Sequence, residues 1–267
     1  MDQEAVIEKP PLDHETLRDV IDLSLWAGQM LLQHGADTSR VESVVHLIGT
    51  SLGATWLDIL VSPNALIVTT ISGEEFRTKV RRVVTLGVNL SIVCAINDLA
   101  YRISWGEVDR VGARAELLRI SAMRSNYNRW VVVGMVGLAC AGLSRLFGSD
   151  LAVFAVTFLS AGAAMYVRQE MSRQHFNSFM IVVVTAFVAG LGASTATIFH
   201  LSPSPQIALA ASVLLLVPGV HLINSLRDMI NGHMVTGLVR GFTGAVISMC
   251  IALGLLLAMQ LMGVSGL

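Results

Sequence analysis

Apolar positions follow two different rhythms along this chain. Up to about residue 121 they recur at helical or alternating spacing, and beyond residue 129 they merge into long runs. In the first region Leu17, Val20, Ile21, Ala27 and Leu31 mark one face of a helix over 15–33. A second helix is predicted from Ser39, where Ser39 and Glu42 have capping-box spacing. Its apolar stripe is Val41, Val44, Val45, Ile48 and Leu52, and HGAD at 34–37 is the turn before it. Three β-type segments follow, WLDILVS, ALIVTTI and FRTKVRRV. SPNA and SGEE join them with residues that favour tight turns. Helices near 88–103 and 106–121 complete a small α+β domain.

Five apolar runs come next, roughly 130–146, 151–167, 178–200, 206–226 and 234–262. At about 1.5 Å per residue, about 20 residues cross a hydrocarbon core of about 30 Å. The first two runs are near the lower limit, and the fifth is long enough to tilt or overreach. The dividers are RLFGSD, RQEMSRQH, LSPSPQ and the polar stretch from Arg227 to His233. The predicted fold class is therefore an α-helical polytopic membrane domain of five spans at 130–267, behind a cytoplasmic α+β domain at 1–129.

Charge supports that division and orients it. Residues 1–129 hold 13 Lys+Arg and 16 Asp+Glu, whereas 130–267 hold five arginines, no lysine and three acids. A one-domain cytosolic enzyme and a disordered tail are both excluded. Arg119, Arg124, Arg129, Arg168, Arg173, Arg227 and Arg240 fall on one side of the five spans, and Arg145 alone on the other. Positive charge favours the cytoplasmic side, so the N-terminus is expected inside and the C-terminus outside a bacterial inner membrane. The stretch MDQEAVIEKPPLDHE is acidic and lacks the apolar run of a cleaved signal peptide. With net charge −1 and no dense basic stretch, nucleic acid is not an expected partner.

The fourth run carries the candidate chemistry. It is apolar to Pro218-Gly219 and then turns polar. Proline removes a backbone donor and clashes with the preceding turn, and glycine relaxes the chain. From Gln206 to the break the helix rises about 18 Å, just past a bilayer midplane. Beyond it His221, Asn224, Ser225 and Asp228 share one helix face by their i, i+3, i+4, i+7 spacing. Polar groups at membrane depth are costly unless they face protein or water, and broken helices build transporter sites. Pro218, Gly219, His221, Asn224, Ser225 and Asp228 are therefore candidates to line a substrate path. The alternative is an amphipathic helix at the interface below a proline kink. Arg168, Arg227 and Arg240 are secondary candidates, since a guanidinium forks onto a carboxylate; each also satisfies the positive-inside bias. Gly237 and Gly241 form a GxxxG pair, read first as a helix contact within the chain and second as an intersubunit seam.

No catalytic residue is expected. Gly49-Thr50-Ser51-Leu52-Gly53 matches GxSxG, but it closes a helix and precedes a strand, the reverse of a nucleophile elbow. His34 and Asp37 could pair as base and orienter, yet no nucleophile is placed beside them. Cys94, Cys140 and Cys250 are widely spaced and suggest no metal site. No cofactor motif or phosphate loop is present.

The segments LLQHGADTSRVE, SPNALIVTTI, NYNRWVVVGMVGLACAG, AMYVRQ and SVLLLVPGVHLINSLRDMINGHMVTGLVR together resemble the bacterial threonine/serine exporter family. PGxxLINxxxDMxxGH is the most specific piece, and the resemblance runs over about 15–262. Within the family it points to the larger subunit of a two-component succinate exporter. The resemblance implies a cytoplasmic domain, a secondary exporter of a small carboxylate, and a smaller five-span partner subunit supplying the second half. Five spans end outside, so a fused second unit would be inverted relative to the first. Threonine or serine export is the alternative substrate. A membrane-anchored hydrolase or a non-conducting regulatory subunit is the alternative class. A higher oligomer is compatible with the small-residue surfaces.

Overall fold

The computed structural model describes residues 12–72, 75–83, 87–123 and 127–264. The acidic stretch before Leu12, the Gly73-Glu74 part of the SGEE connection and Arg124 lie outside the described residues. The chain forms two compact units, Met1–Arg124 with Val220–Phe242, and Ser125–Gly219 with Thr243–Leu267. The expected boundary at residue 129 thus acquires an exception. Val220–Phe242, assigned from sequence to the membrane half, packs with the N-terminal elements.

In the first unit α1 (His14–Gln33) and α2 (Thr38–Ser51) precede strands β1 (Trp56–Ser62), β2 (Ala65–Ser72) and β3 (Glu75–Arg82). The sheet is an antiparallel meander in the order β1-β2-β3. Ser62 pairs with Ala65 across Pro63-Asn64, so the first hairpin has the two-residue connection that SPNA predicts. Helices α3 (Leu90–Ser104) and α4 (Arg110–Ser121) follow. The core gathers Val20, Ile21 and Leu31 of α1, Val41, Val45 and Ile48 of α2, Leu66 and Val68 of β2, Ile96 and Leu99 of α3, and Leu117 of α4. Burying each such side chain contributes about 1.5–3 kcal/mol. Lys79 of β3 bonds Asp22 of α1 at 2.7 Å, fastening the sheet edge to the helix.

Two local readings change. Helix α2 begins at Thr38 and its N-cap is Asp37, whose Oδ1 accepts from the Arg40 amide at 3.1 Å. Ser39 therefore lies inside the helix, and the predicted Ser39–Glu42 capping box does not form. Both Asp37 and Ser39 are good caps by residue type, and Asp37 takes the position. The GxSxG match is a helix stop: Ser51 ends α2 and Gly53 has φ +111°.

The second unit contains α5 (Arg129–Leu146), α6 (Leu151–Arg173), α7 (Ser178–Ile198), α8 (Gln206–Ser212) and the later part of α10 (Met234–Leu261). A short 3₁₀ turn, Leu214–Leu216, follows α8, and α9 is Gly219–Ile230. Helices α5, α6, α7 and α10 are long and apolar enough to cross a membrane. The fourth run counts as a crossing only if α8 and α9 are taken together, since it breaks between Leu216 and Gly219. Helix α6 continues to Arg173, past the expected end near 167. Small residues let these helices approach closely: a Cβ on Gly190 would stand 2.7 Å from the Ala258 methyl. Large apolar side chains such as Leu138, Leu159 and Leu256 remain exposed on the outer faces. Those faces suit lipid rather than water.

Candidate functional site

Helix α9 starts at a proline turn, where the Gly219 amide donates to the Val217 carbonyl at 2.8 Å. Pro218 cannot continue a helical ladder, so α9 begins afresh there. The residues His221, Asn224, Ser225 and Asp228 do share a face, and from Asn224 onward that face meets the turn between α1 and α2. Asn224 Nδ2 donates to the Gly35 carbonyl at 2.8 Å. Asp228 Oδ1 accepts from the Thr38 amide at 2.9 Å. Arg227 Nη1 bonds Asp37 Oδ2 at 3.1 Å. Ser225 Oγ donates to the Gly237 carbonyl at 2.7 Å, tying α9 to the first turn of α10.

Arg240 of α10 closes the cluster. Its Nη2 donates to the Ala36 carbonyl at 3.0 Å, and its Nη1 lies 2.9 Å from Asp228 Oδ2. That last approach is Coulombic rather than an aligned hydrogen bond, because both atoms lack a bond of good geometry. Asp228 is 0% exposed and the Arg240 side chain 14%, so the pair is buried. Two carboxylates, Asp37 and Asp228, thus sit at the N-terminus of α2, where the helix dipole favours negative charge. Three guanidiniums, Arg40, Arg227 and Arg240, answer them.

Gly237 and Gly241 serve this arrangement. A Cβ on Gly237 would stand 2.7 Å from Met229 Cγ and 2.9 Å from the Ser225 carbonyl. One on Gly241 would stand 2.7 Å from Ser225 Oγ. Both glycines therefore face α9 of the same chain. Beside the cluster His233 approaches Glu42 at 3.4 Å. Burial pushes the Glu42 carboxyl above its usual range; His233 opposes that shift, and the Asp228 and Asp58 charges add to it.

An open cavity of about 300 Å³ adjoins the cluster, lined by Asp37, Ser39, Arg40, Ser43, Asn97, Tyr101 and Arg227. Its donors are guanidiniums, an amide and hydroxyls, the set that holds a carboxylate. Arg168 is elsewhere, in the second unit, donating to the Leu215 carbonyl at 3.1 Å. The sequence reading therefore named α9 and Arg240 but missed their partners at 35–38. The available signal is the density of polar groups in HGADTSR, whose His34 and Asp37 suggest a turn, a cap or a base–orienter pair but name no partner on α9.

The hydrolytic reading finds no support here. His34 Nδ1 lies 2.7 Å from the Met30 carbonyl, at the end of its own helix. Asp37 is engaged with Arg40 and Arg227, so base and orienter are not paired. Among the described residues no group of three or more His, Cys, Asp or Glu side chains could hold a metal ion.

Residues 22–262 match the sequence profile of the ThrE family, described as "Putative threonine/serine exporter". The chain is 33% identical over 256 residues to an Escherichia coli protein named "Probable succinate transporter subunit YjjP", covering 94% of this chain and 98% of that one. A Klebsiella aerogenes protein of the same name is also 33% identical, over 95% and 98% of the two chains. The "Threonine/serine exporter" of Corynebacterium glutamicum is 25% identical over 93% of this chain but only 52% of its own length. No solved structure matches.

Proposed function

Because the chain belongs to the threonine/serine exporter family of multi-pass membrane transporters, we propose that it is one subunit of a secondary exporter of small carboxylates, succinate-like dicarboxylates first. The second subunit in this reading is a smaller five-span membrane protein. A single observation carries the substrate class: Asn224, Arg227, Asp228 and Arg240 converge on the α1–α2 turn beside a cavity that Arg40 and Arg227 line. Guanidiniums and amides are the groups that bind carboxylate oxygens. Two chains sharing one exporter fits the ratio of lengths, since this chain spans about half of the Corynebacterium protein and nearly all of the relatives named as subunits.

The path in this reading runs past the face of α9 that begins at Pro218. The α1–α2 turn, held by Asn224 and Asp228, is the element that opens or closes it. A broken helix is suited to such a role, because its free ends and polar face need partners that substrate can replace. The Asp228–Arg240 pair would then exchange partners with a passing carboxylate. Catalysis has no part in it.

Threonine or serine remains the second reading, favoured by one feature. The cavity presents the Asp37 carboxylate between Arg40 and Arg227, and a zwitterion needs both signs.

The test is efflux from cells lacking this protein and its partner, loaded with a panel of dicarboxylates and amino acids. Co-expression with the partner should restore dicarboxylate efflux, and the chain alone should not. Restored threonine efflux without succinate efflux would move the assignment to the second reading. Efflux by the chain alone in liposomes would show that a homo-oligomer suffices. Reporter fusions after Gln174 and Gly232 should report cytoplasm, and those after Gly148 and Pro203 the outside. A fusion after Leu267 should also report the outside, and a cytoplasmic signal there would remove the five-span topology and the inverted partner with it.

A further inference from the structure

A second cationic site lies wholly within the other unit, apart from the α9 cluster. Tyr127, Arg129, Val132, Met165, Arg168 and Arg173 line a cavity of about 510 Å³ between the start of α5 and the end of α6. Among the described residues Glu170 is the one acid paired with any of the three arginines, reaching Arg129 at 3.2 Å. Three guanidiniums against one carboxylate leave a net positive cavity.

Its polar groups are incompletely used. Arg129 Nε and Gln169 Oε1 are buried without hydrogen-bond partners. A buried donor left unsatisfied costs about 1–3 kcal/mol, so Arg129 Nε is poised for an acceptor, whereas Gln169 Oε1, itself an acceptor, is not satisfied by one. The Arg129 guanidinium lies 5.1 Å from the Tyr166 ring and 5.5 Å from the Trp130 ring, which stack on each other at 5.5 Å. That stack holds the arginine side chain in place.

The surroundings are those of a membrane interface. Tyr127 and Trp130 are well exposed, and aromatic residues of this kind gather at headgroup depth. Val132 and Met165 give the cavity apolar walls next to its charged end. Basic cavities between membrane helices on the arginine-rich side take anionic lipid headgroups.

We propose that this cavity binds the phosphate headgroup of an anionic phospholipid. The phosphodiester sits against Arg129, Arg168 and Arg173, and the acyl chains run along the apolar outer face of α5. A soluble oxyanion shares the chemistry of the phosphate, but the apolar walls and the flanking aromatics favour a ligand with a hydrocarbon tail.

The test uses the full chain purified in mild detergent and reconstituted in nanodiscs of phosphatidylcholine doped with phosphatidylglycerol. Native mass spectrometry after release counts the retained lipids. Wild-type protein should retain phosphatidylglycerol in preference to phosphatidylcholine. Arg168→Gln and Arg173→Gln should each weaken that preference about fivefold, the effect of one basic residue near an anionic surface. Arg173→Lys should keep most of it, and Arg145→Gln, at the opposite end of α5, should change nothing. Arg173 is exposed at a helix end, so Arg173→Gln carries the test even if Arg168→Gln fails to fold. Equal retention by wild type and Arg173→Gln, or equal loss in Arg145→Gln, would overturn the site. Displacement of phosphatidylglycerol by millimolar succinate or inorganic phosphate would reassign it to a soluble oxyanion and overturn the lipid.

Discussion

Removing one half of the Asp228–Arg240 pair should destabilise the first unit more than any other single polar change in the chain. Asp228 is 0% exposed and Arg240 nearly as buried, and they stand 2.9 Å apart. Asp228→Asn leaves the guanidinium in a low-dielectric site with an amide for company, and the Thr38 amide exchanges a charged acceptor for a neutral one. Breaking a buried pair from one side costs about 3–5 kcal/mol. Asn keeps one acceptor, so about 3 kcal/mol is expected, and similarly for Arg240→Gln. The pairwise coupling in a double-mutant cycle should be about 2 kcal/mol, within the range for residues in one network. Replacing both by Leu removes both desolvation costs and should be near neutral. The assay is thermal unfolding of the purified chain, monitored by thiol labelling of one cysteine introduced at buried Ala100 of the first unit, with the native Cys94, Cys140 and Cys250 replaced. At roughly 2–4 °C per kcal/mol for domains of 150–250 residues, the single variants should melt roughly 6–12 °C lower. A charge lining an open watery path would instead be removed without penalty. Single variants within 1 °C of wild type, with zero coupling, would refute the buried-pair argument. Efflux separates structure from transport: a double-Leu protein that is stable but silent assigns the pair a role in moving substrate.

Three further outcomes are expected. Gly237→Ala places a methyl against Met229 Cγ and the Ser225 carbonyl, so overpacking should cost about 1–3 kcal/mol; unchanged thermal unfolding would show that α9 and α10 can part. Pro218→Ala should let α8 and α9 join into one helix and turn Asn224 and Asp228 away from the α1–α2 turn, read as reduced efflux with little loss of protein and as increased proteolysis near Gly35. Burial raises the Glu42 carboxyl above its usual 4.5, so the fold favours the protonated form: stability falls as pH rises from 4.5 through the raised value and stays lower above it. Glu42→Gln should therefore unfold at higher temperature than wild type at neutral pH, with the gap closing below about pH 4; a gap independent of pH would contradict burial as the cause.

Much of the local structure follows from short-range pattern. The stripe Val41, Val44, Val45 and Ile48 specifies α2, and the Ser62–Ala65 connection specifies the first hairpin, because each rests on residues within one or two turns. The long apolar runs specify α5, α6, α7 and α10 by length and composition alone. Pro218 announces the break in the fourth run, since its missing donor acts wherever the helix lies. Spacing likewise shows that Asn224, Ser225 and Asp228 share a face.

Tertiary structure decided what that face meets. Periodicity identifies a polar stripe but carries no term for its partner, and the partner of Asp228 is Thr38, far away along the chain. The choice of Asp37 over Ser39 as the cap of α2 is of the same kind. Both side chains can cap, and Asp37 holds the position where Arg227 and the Asp228–Thr38 bond fix the turn. Arg240 carried an orientation signal in the sequence, yet its guanidinium is committed to Ala36 and Asp228. A charge in an apolar helix must be compensated, but only the fold determines by which residue. The sequence by itself determined where this protein is helical, extended and apolar, because those properties are local. Where its buried charges find their partners was decided by chain segments brought together from opposite ends.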